Sequence, residues 1–314
     1  MADIQDRIEE QTAQAVVGQT GEKYRSLRAD VWRQFRRHKG AVTGLIILFL
    51  IAVASFLGPV LWSGDGVTPK PLFPNLPPSW EHPMGTDNIG RDVMARVLLG
   101  GRISLSVGIT AMLVSITVGT TVGILSGFFR KLDGPLMRVT DLFLAMPILP
   151  LLLVVIMFFR TPMTERFGAE LGIFIMVVAI IGVTSWMQAA RVVRGQVLAI
   201  KQEEFVVAAQ SIGTRKRTIM LRHILPNVLS PVMVAAALGV AVAIITESAL
   251  SFLGLGFPSS FPTWGRLLFD AKDYMDQAPM RVIWPGLLIS LTVISVNFIG
   301  DGMRDALDPK GRSR

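Results

Sequence analysis

The side chains that could perform chemistry are few and widely separated. The chain has no cysteine and only three histidines, His38, His82 and His223, so a thiolate site is excluded and a histidine metal centre is not expected. The sequence contains no Gly-x4-Gly-Lys-Ser/Thr loop that would hold the phosphates of ATP, no His-Glu-x2-His motif and no Gly-x-Ser-x-Gly nucleophile turn. It therefore predicts no catalytic residue, no metal and no cofactor on this chain.

Two carboxylates, Asp141 and Glu247, stand inside long apolar runs. A charged side chain at the centre of a bilayer costs about 2.5–3.5 kcal/mol on insertion scales. Each carboxylate should therefore face the protein interior, a water-filled path or the headgroup region. Asp141 lies near one end of its run and could reach the headgroups, whereas Glu247 could hold an external loop instead of contacting a cargo.

The elements that must position these groups are membrane helices. Hydrophobic residues make up 51% of the chain and charged residues only 17%, against about 25% charged in soluble domains. A helix needs about 20 mostly apolar residues to cross a bilayer. Six runs meet or nearly meet this length: 41–61, 103–128, 139–159, 171–190, 228–250 and 282–300. The predicted fold is an all-α integral membrane protein with six transmembrane helices.

The second run is rich in small residues that favour close helix packing in lipid. They include Gly108, Ser115, Gly119 and Gly123. We expect this helix to pack against other helices.

The distribution of charge predicts the orientation. Six spans place both termini on one side, and 22 of the 31 Lys and Arg residues lie in the segments on that side. The positive-inside rule then places both termini in the cytoplasm, and it accounts for the net charge of +8 without nucleic acid. The predicted organisation is a tail over 1–40, a first span over 41–61, an external segment over 62–102, a core over 103–300 and a tail over 301–314.

Two external segments are expected to close or line the mouth of a pathway. Six prolines make 62–90 a loop, and the apolar spacing over 90–99 predicts a short interfacial helix before the second span. The second segment, 251–281, carries aromatic residues and three aspartates. Simple connectors are the alternative interpretation.

A long cytoplasmic loop over 203–227 carries the most ordered pattern. Phe205, Ala208, Ala209 and Ile212 recur at helical spacing and predict one apolar stripe on a short helix. Gly213 is placed to end that helix. Thr214 is placed to cap a second helix, whose apolar face contains Ile219, Met220, Ile224 and Leu225 and which Pro226 should stop. Two short helices that project from the membrane could dock in a groove of a partner protein.

The same loop resembles the "EAA" loop of permease subunits of ABC importers. The matching residues are Val207, Ala208 and Ala209, then Gly213, then Leu225, Pro226 and Asn227. Val207 occupies the position of the motif's glutamate, and the nearest carboxylates, Glu203 and Glu204, lie about one turn earlier. The resemblance implies that this loop docks on cytoplasmic ATPase subunits.

Further stretches are similar to the C-type permease of the dipeptide/oligopeptide subfamily: 82–93, 101–105, 141–147, 247–256 and 297–309. The first of these contains the external motif, with His82, Gly85, Thr86, Asp87, Gly90, Arg91 and Asp92. The resemblance implies a bacterial inner-membrane subunit that forms half of a translocation pathway. The pathway candidates are Asp141, Met146, Pro147, Gln188 and Glu247.

The resemblance also implies partners. These are a homologous second permease that completes a heterodimer, two ATP-binding subunits or domains that hold ATP and Mg, and an external substrate-binding protein. Di- or oligopeptides are the expected cargo, with nickel chelates, glutathione, opines or oligosaccharides as alternatives. From the residues alone, a stand-alone secondary transporter and a membrane-anchored scaffold stay open.

Overall fold

The computed structural model describes residues 27–307 as a bundle of long helices. They are α1 (Leu27–Arg37), α2 (Lys39–Leu61), α3 (Val93–Phe128), α4 (Arg130–Ala145), α5 (Ile148–Phe167), α6 (Ala169–Ile200), α7 (Glu204–Ser211), α8 (Lys216–Phe252), α9 (Trp264–Ala271) and α10 (Met280–Leu307). Within this part of the chain there is no β-strand. Part of each predicted tail lies outside the described residues, and so do the last two residues of the 297–309 motif.

Six helices are long and apolar enough to cross a membrane, as predicted. They are α2, α3, α5, α6, α8 and α10. The chain is therefore a multi-pass membrane protein. Five of the predicted spans lie within α2, α3, α6, α8 and α10, and some of these helices extend ten or more residues beyond the predicted ends.

The predicted third span, 139–159, is wrong. The helix stops at Ala145, and Met146 has an extended backbone with φ −73° and ψ 135°. Because a proline disfavours helical geometry in the residue before it, Pro147 separates α4 from α5. The span is instead α5, which continues to Phe167 and so occupies most of the interval between the third and fourth predicted spans. Only Gly168 separates α5 from α6.

The predicted interfacial helix over 90–99 is also not separate. α3 is one helix of 36 residues that begins at Val93. Asp92 caps it, since its Oδ1 accepts a hydrogen bond from the backbone N–H of Ala95 at 2.7 Å. At 1.5 Å per residue α3 is roughly 54 Å long, so it extends beyond a hydrocarbon core of about 30 Å.

Small residues bring α3 and α6 close together, as the composition of the second run predicts. A Cβ atom on Gly123 would lie 2.6 Å from the Cβ of Val193, and one on Gly119 would lie 2.7 Å from the Cβ of Ala189. Both distances are shorter than a van der Waals contact, so only glycine permits this approach.

The first and last described helices lie side by side. Phe35 of α1, Ala41 of α2 and Ala306 of α10 form one buried cluster. The side-chain amide of Gln34 donates to the carbonyl oxygen of Asp305 at 3.1 Å. Both ends of the described chain therefore lie at the same end of the bundle.

Candidate functional site

The short helix α7 is fixed to the bundle along one side. Val206 is fully buried and Ala209 nearly so. Both belong to one apolar cluster with Ile219 and Ile224 of α8. The cluster extends to α3 and α6 through Ile124, Phe128, Val193 and Val197. α7 is thus held by three of the spans.

The other side of α7 is an exposed apolar face. The exposed fractions are 44% for Phe205, 49% for Val207 and 83% for Ile212, the residue at the C-terminal cap of the helix, and Ala208 is exposed as well. The prediction of one stripe is therefore wrong in part, because Ala209 points inward. Val206 was missed; its spacing of three from Ala209 was the available signal.

Gly213 ends α7, as predicted. Its φ is +76°, a value that glycine adopts without steric cost. The N–H of Thr214 donates to the carbonyl of Ala209 at 3.0 Å, and the N–H of Gly213 donates to that of Gln210 at 3.0 Å, a glycine-terminated helix end. The prediction that Thr214 caps the next helix is wrong, since Arg215 is the cap residue and no side chain caps α8.

The prediction of a second short helix stopped at Pro226 is wrong too. α8 continues through this residue to Phe252. In a regular helix the ring of Pro226 would clash with the carbonyl of Arg222. The segment Ile219–Ile224, which ends two residues before this proline, forms π-helical turns, which are wider. The segment that begins at Lys216 is consequently continuous with a membrane-spanning helix.

The polar residues of the loop lie outside this packing. Glu203 and Glu204 are exposed at the start of α7, and no side-chain hydrogen bond caps the helix there. Asn227 is exposed, and its side-chain amide donates to the carbonyl of His223 at 2.6 Å. Leu225 is half-buried.

At the opposite end of α3 an ion network joins the two segments predicted to be external. One oxygen of Asp87, Oδ2, accepts from Arg91 Nε at 2.7 Å and from Arg96 Nη1 at 2.6 Å. Arg96 Nη2 also donates to Oδ2 of Asp270 at 2.9 Å. Arg91 Nη1 donates to the carbonyl of Ser259 at 3.0 Å. We call the joined segments 62–92 and 251–281 the Asp87 platform.

The charge state of Asp87 follows from these contacts. Burial acts to raise the pKa of Asp87. The hydrogen bond from the backbone N–H of Arg91 and the positive charges of Arg96 and Arg91 outweigh it, so the pKa is lowered. Asp87 is therefore a carboxylate near neutral pH.

The other residues of the predicted motif shape the platform. Gly85 and Gly90 have positive φ, and a Cβ on Gly90 would lie 1.9 Å from the carbonyl oxygen of Lys70. The hydroxyl of Thr86 donates to the carbonyl of Phe73 at 2.7 Å. His82 Nδ1 lies 2.7 Å from Asp92 Oδ2. The structure gives each of these residues a positioning role within the chain.

Glu247 lies inside the bundle below this platform. It is fully buried, and its carboxylate accepts hydrogen bonds from Ser104 at 2.9 Å and from Ser251 at 2.8 Å. The Oγ of Ser104 also accepts the N–H of Trp264 at 3.2 Å. This geometry matches the expectation that Glu247 holds a loop segment. It does not expose Glu247 to a cavity.

The remaining pathway candidates lie at or beside one cleft. This cleft of about 420 Å³ opens between α6 and α8, and Gln188 lines it. Leu144 and Ile148, which flank Met146 and Pro147, line it too. Asp141 is exposed one turn away and pairs with Arg191 at 2.5 Å.

Six spans, an anchored helix at one end and a polar platform at the other define a transporter permease. Residues 119–313 match the family described as binding-protein-dependent transport system inner membrane component. Residues 26–78 match the N-terminal TM domain of oligopeptide transport permease C. The chain therefore belongs to the binding-protein-dependent transport permease family, as its motifs predicted, and the secondary-transporter and scaffold alternatives are set aside.

Named relatives cover nearly the whole chain. It is 40% identical over 314 residues to the oligopeptide transport system permease protein OppC of Haemophilus influenzae, covering 98% of this chain and 94% of the relative. It is 36% identical to the dipeptide transport system permease protein DppC of Alkalihalophilus pseudofirmus, with 90% of each covered. It is 39% identical to the glutathione transport system permease protein GsiD of Pectobacterium atrosepticum, covering 90% and 91%.

Proposed function

We propose that this chain is one permease half of an ATP-driven peptide importer and that α7 is the element through which separate ATPase subunits move it. The supporting observation is the division of α7 into two faces. Val206 and Ala209 are buried on three spans, whereas Val207 and Ile212 are exposed. An exposed apolar helix face fits a groove in a partner.

The proposed mechanism is alternating access by rigid-body motion. Closure of the ATPase subunits around ATP and Mg pushes α7. Because α8 is continuous from Lys216 to Phe252, displacement at its start is transmitted along a span. The cleft beside Gln188 then opens outward to accept cargo and, after hydrolysis on the partner chains, inward to release it.

The remaining partners follow from the two ends of the bundle. A homologous second permease would cover the open side of the cleft lined by Gln188 and complete a heterodimer. A substrate-binding protein would dock on the Asp87 platform. The excess of Lys and Arg on the side of both termini supports cytoplasmic termini in a bacterial inner membrane.

Peptides are the proposed cargo because relatives that cover nine tenths or more of this chain are named for oligopeptide and dipeptide transport. Glutathione, named for another relative, is itself a small peptide. Mass spectrometry of the ligand that co-purifies with the cognate binding protein tests this. Recovery of peptides supports it, and recovery of a nickel chelate, opine or sugar contradicts it.

The coupling role is tested with a charge on the exposed face of α7. Ile212→Asp should abolish co-purification of the ATPase subunits and uptake while the permease still inserts into the membrane. Leu72→Asp is the matched control for ATPase co-purification alone, since Leu72 is 87% exposed and lies on the opposite end of the bundle. Normal ATPase capture by Ile212→Asp, or equal loss of ATPase capture in the control, would contradict the assignment.

A further inference from the structure

A second cleft lies at the end of α3 that is distant from the Asp87 platform. It has a volume of about 700 Å³ and opens between the α3–α4 junction and the α7–α8 junction. Its walls carry four basic residues: Arg130, Lys131, Lys201 and Lys216. Phe128, Phe129, Leu132 and Ile219 form its apolar surface. No acidic residue lines it.

The four positive charges are not neutralised by neighbours. None of them makes an ion pair within the part of the chain that the structure describes. Asp133, on the same helix as Arg130 and Lys131, is already bound to Arg194, whose Nε and Nη2 donate at 2.5 and 2.7 Å. Because Asp133 is paired with Arg194 of α6, it does not neutralise Arg130 or Lys131, and the cleft stays positively charged.

One of the cations is held in place before any ligand arrives. Lys201 Nζ donates to the carbonyl oxygen of Phe128 at 3.1 Å and lies 5.5 Å from the centre of the Phe128 ring. An ammonium group has three donors, so two remain for an anion. A lysine positioned in this way loses less conformational freedom on binding.

We propose that this cleft binds the phosphate of an anionic phospholipid headgroup. The combination of basic and apolar lining residues favours a lipid over a free anion. The basic residues suit the phosphate of the headgroup, and the apolar residues suit the glycerol and acyl chains. α3 is longer than a hydrocarbon core is thick, so its end is suited to headgroup depth. Gln210 and Thr214 also line the cleft, so the bound lipid contacts the turn after α7.

The test is native mass spectrometry of the full chain in detergent, titrated with phosphatidylglycerol or phosphatidylcholine. Wild type should bind phosphatidylglycerol more tightly. Arg130→Gln and Lys131→Gln should each weaken this binding about fivefold, while a double variant with Arg130→Lys and Lys131→Arg keeps it. Lys216→Gln, on α8, repeats the test from the other wall and guards against a local folding defect in α4.

The matched control removes two cations at the far end of α5 with Arg160→Gln and Arg166→Gln. Equal weakening in this control would show attraction to net charge alone and would overturn the proposal. So would equal binding of the two lipids, or unchanged binding in the cleft variants. Displacement of phosphatidylglycerol from the cleft by millimolar inorganic phosphate would identify free phosphate as the ligand and overturn the lipid assignment.

Discussion

The hydroxyl of Ser104 on α3 donates to Oε2 of Glu247 on α8 across 2.9 Å. The Oγ of Ser104 in turn accepts the N–H of Trp264, the first residue of α9. One hydroxyl therefore joins two spans and the Asp87 platform.

Ser104→Ala should lower stability by about 1–3 kcal/mol, because it leaves the buried N–H of Trp264 without an acceptor and removes one of the hydrogen bonds to the buried Glu247 carboxylate. The thermal unfolding midpoint in detergent measures this. Ser106→Ala is the matched control, since that hydroxyl donates only to Arg102 of its own helix, at 2.7 Å. Equal midpoints for the two variants would show that the link contributes nothing.

The close approach of α3 and α6 predicts a strong effect of a single methyl group. A Cβ on Gly123 meets Val193 Cβ at 2.6 Å and the carbonyl oxygen of Ala190 at 2.7 Å. Gly123→Ala should destabilise the chain by about 1 kcal/mol or more, because overpacking exceeds the gain in helix propensity. Gly195→Ala, with no neighbour near its Cβ, should be neutral or stabilising. The same unfolding assay compares them, and a stabilising Gly123→Ala would refute the packing.

The Asp87 platform should weaken in acid. The folded-state pKa of Asp87 is lowered, so its contribution to stability is fully present above the unfolded pKa of about 3.9. It is lost as the pH falls through the folded-state value. The difference in unfolding midpoint between wild type and Asp87→Asn should be constant from about pH 7 to 5 and shrink below about pH 4. A difference that persists unchanged at pH 3 would contradict the ion network.

The constraint on Gly213 comes from its backbone conformation and not from steric contact with neighbouring side chains. Nothing lies near a Cβ built on it, but its φ is +76°. Gly213→Val should cost about 1–2 kcal/mol of local strain, rotate α7 and reduce uptake, with membrane insertion intact. Gly213→Asn should retain most uptake, since asparagine tolerates this conformation. Wild-type uptake by the valine variant would count against α7 as the coupling element.

Much of the fold was predictable because apolar runs of 20 residues have few other stable arrangements. Five of the six spans, the short helix before Gly213 and the tight packing of α3 follow from local composition. The third span was misplaced because hydropathy continues across Met146 and Pro147, whereas the helix does not. Local preference at one X-Pro pair decided the boundary there.

The site was less predictable because it depends on distant contacts. The spacing of Phe205, Ala208 and Ile212 indicates a stripe, but burial by α3 and α6 selects Val206 and Ala209 as the inner face. The continuity of α8 through Pro226 depends on π-helical turns that no spacing in the sequence reveals. Arg96 forms ion pairs with both Asp87 and Asp270, which are 183 residues apart in the chain. No local sequence pattern indicates this arrangement.

Contact between α7 and an ATPase subunit can be detected by site-specific cross-linking, because this chain contains no cysteine. A single Ile212→Cys substitution, labelled with a photoactivatable maleimide in membranes that contain the assembled transporter, reports what touches α7. If α7 docks on an ATPase subunit, Ile212→Cys should form cross-links to that subunit, and their yield should change when ATP is trapped. Cross-links only to lipid or to this same chain, with the ATPase subunits present and active, would contradict it.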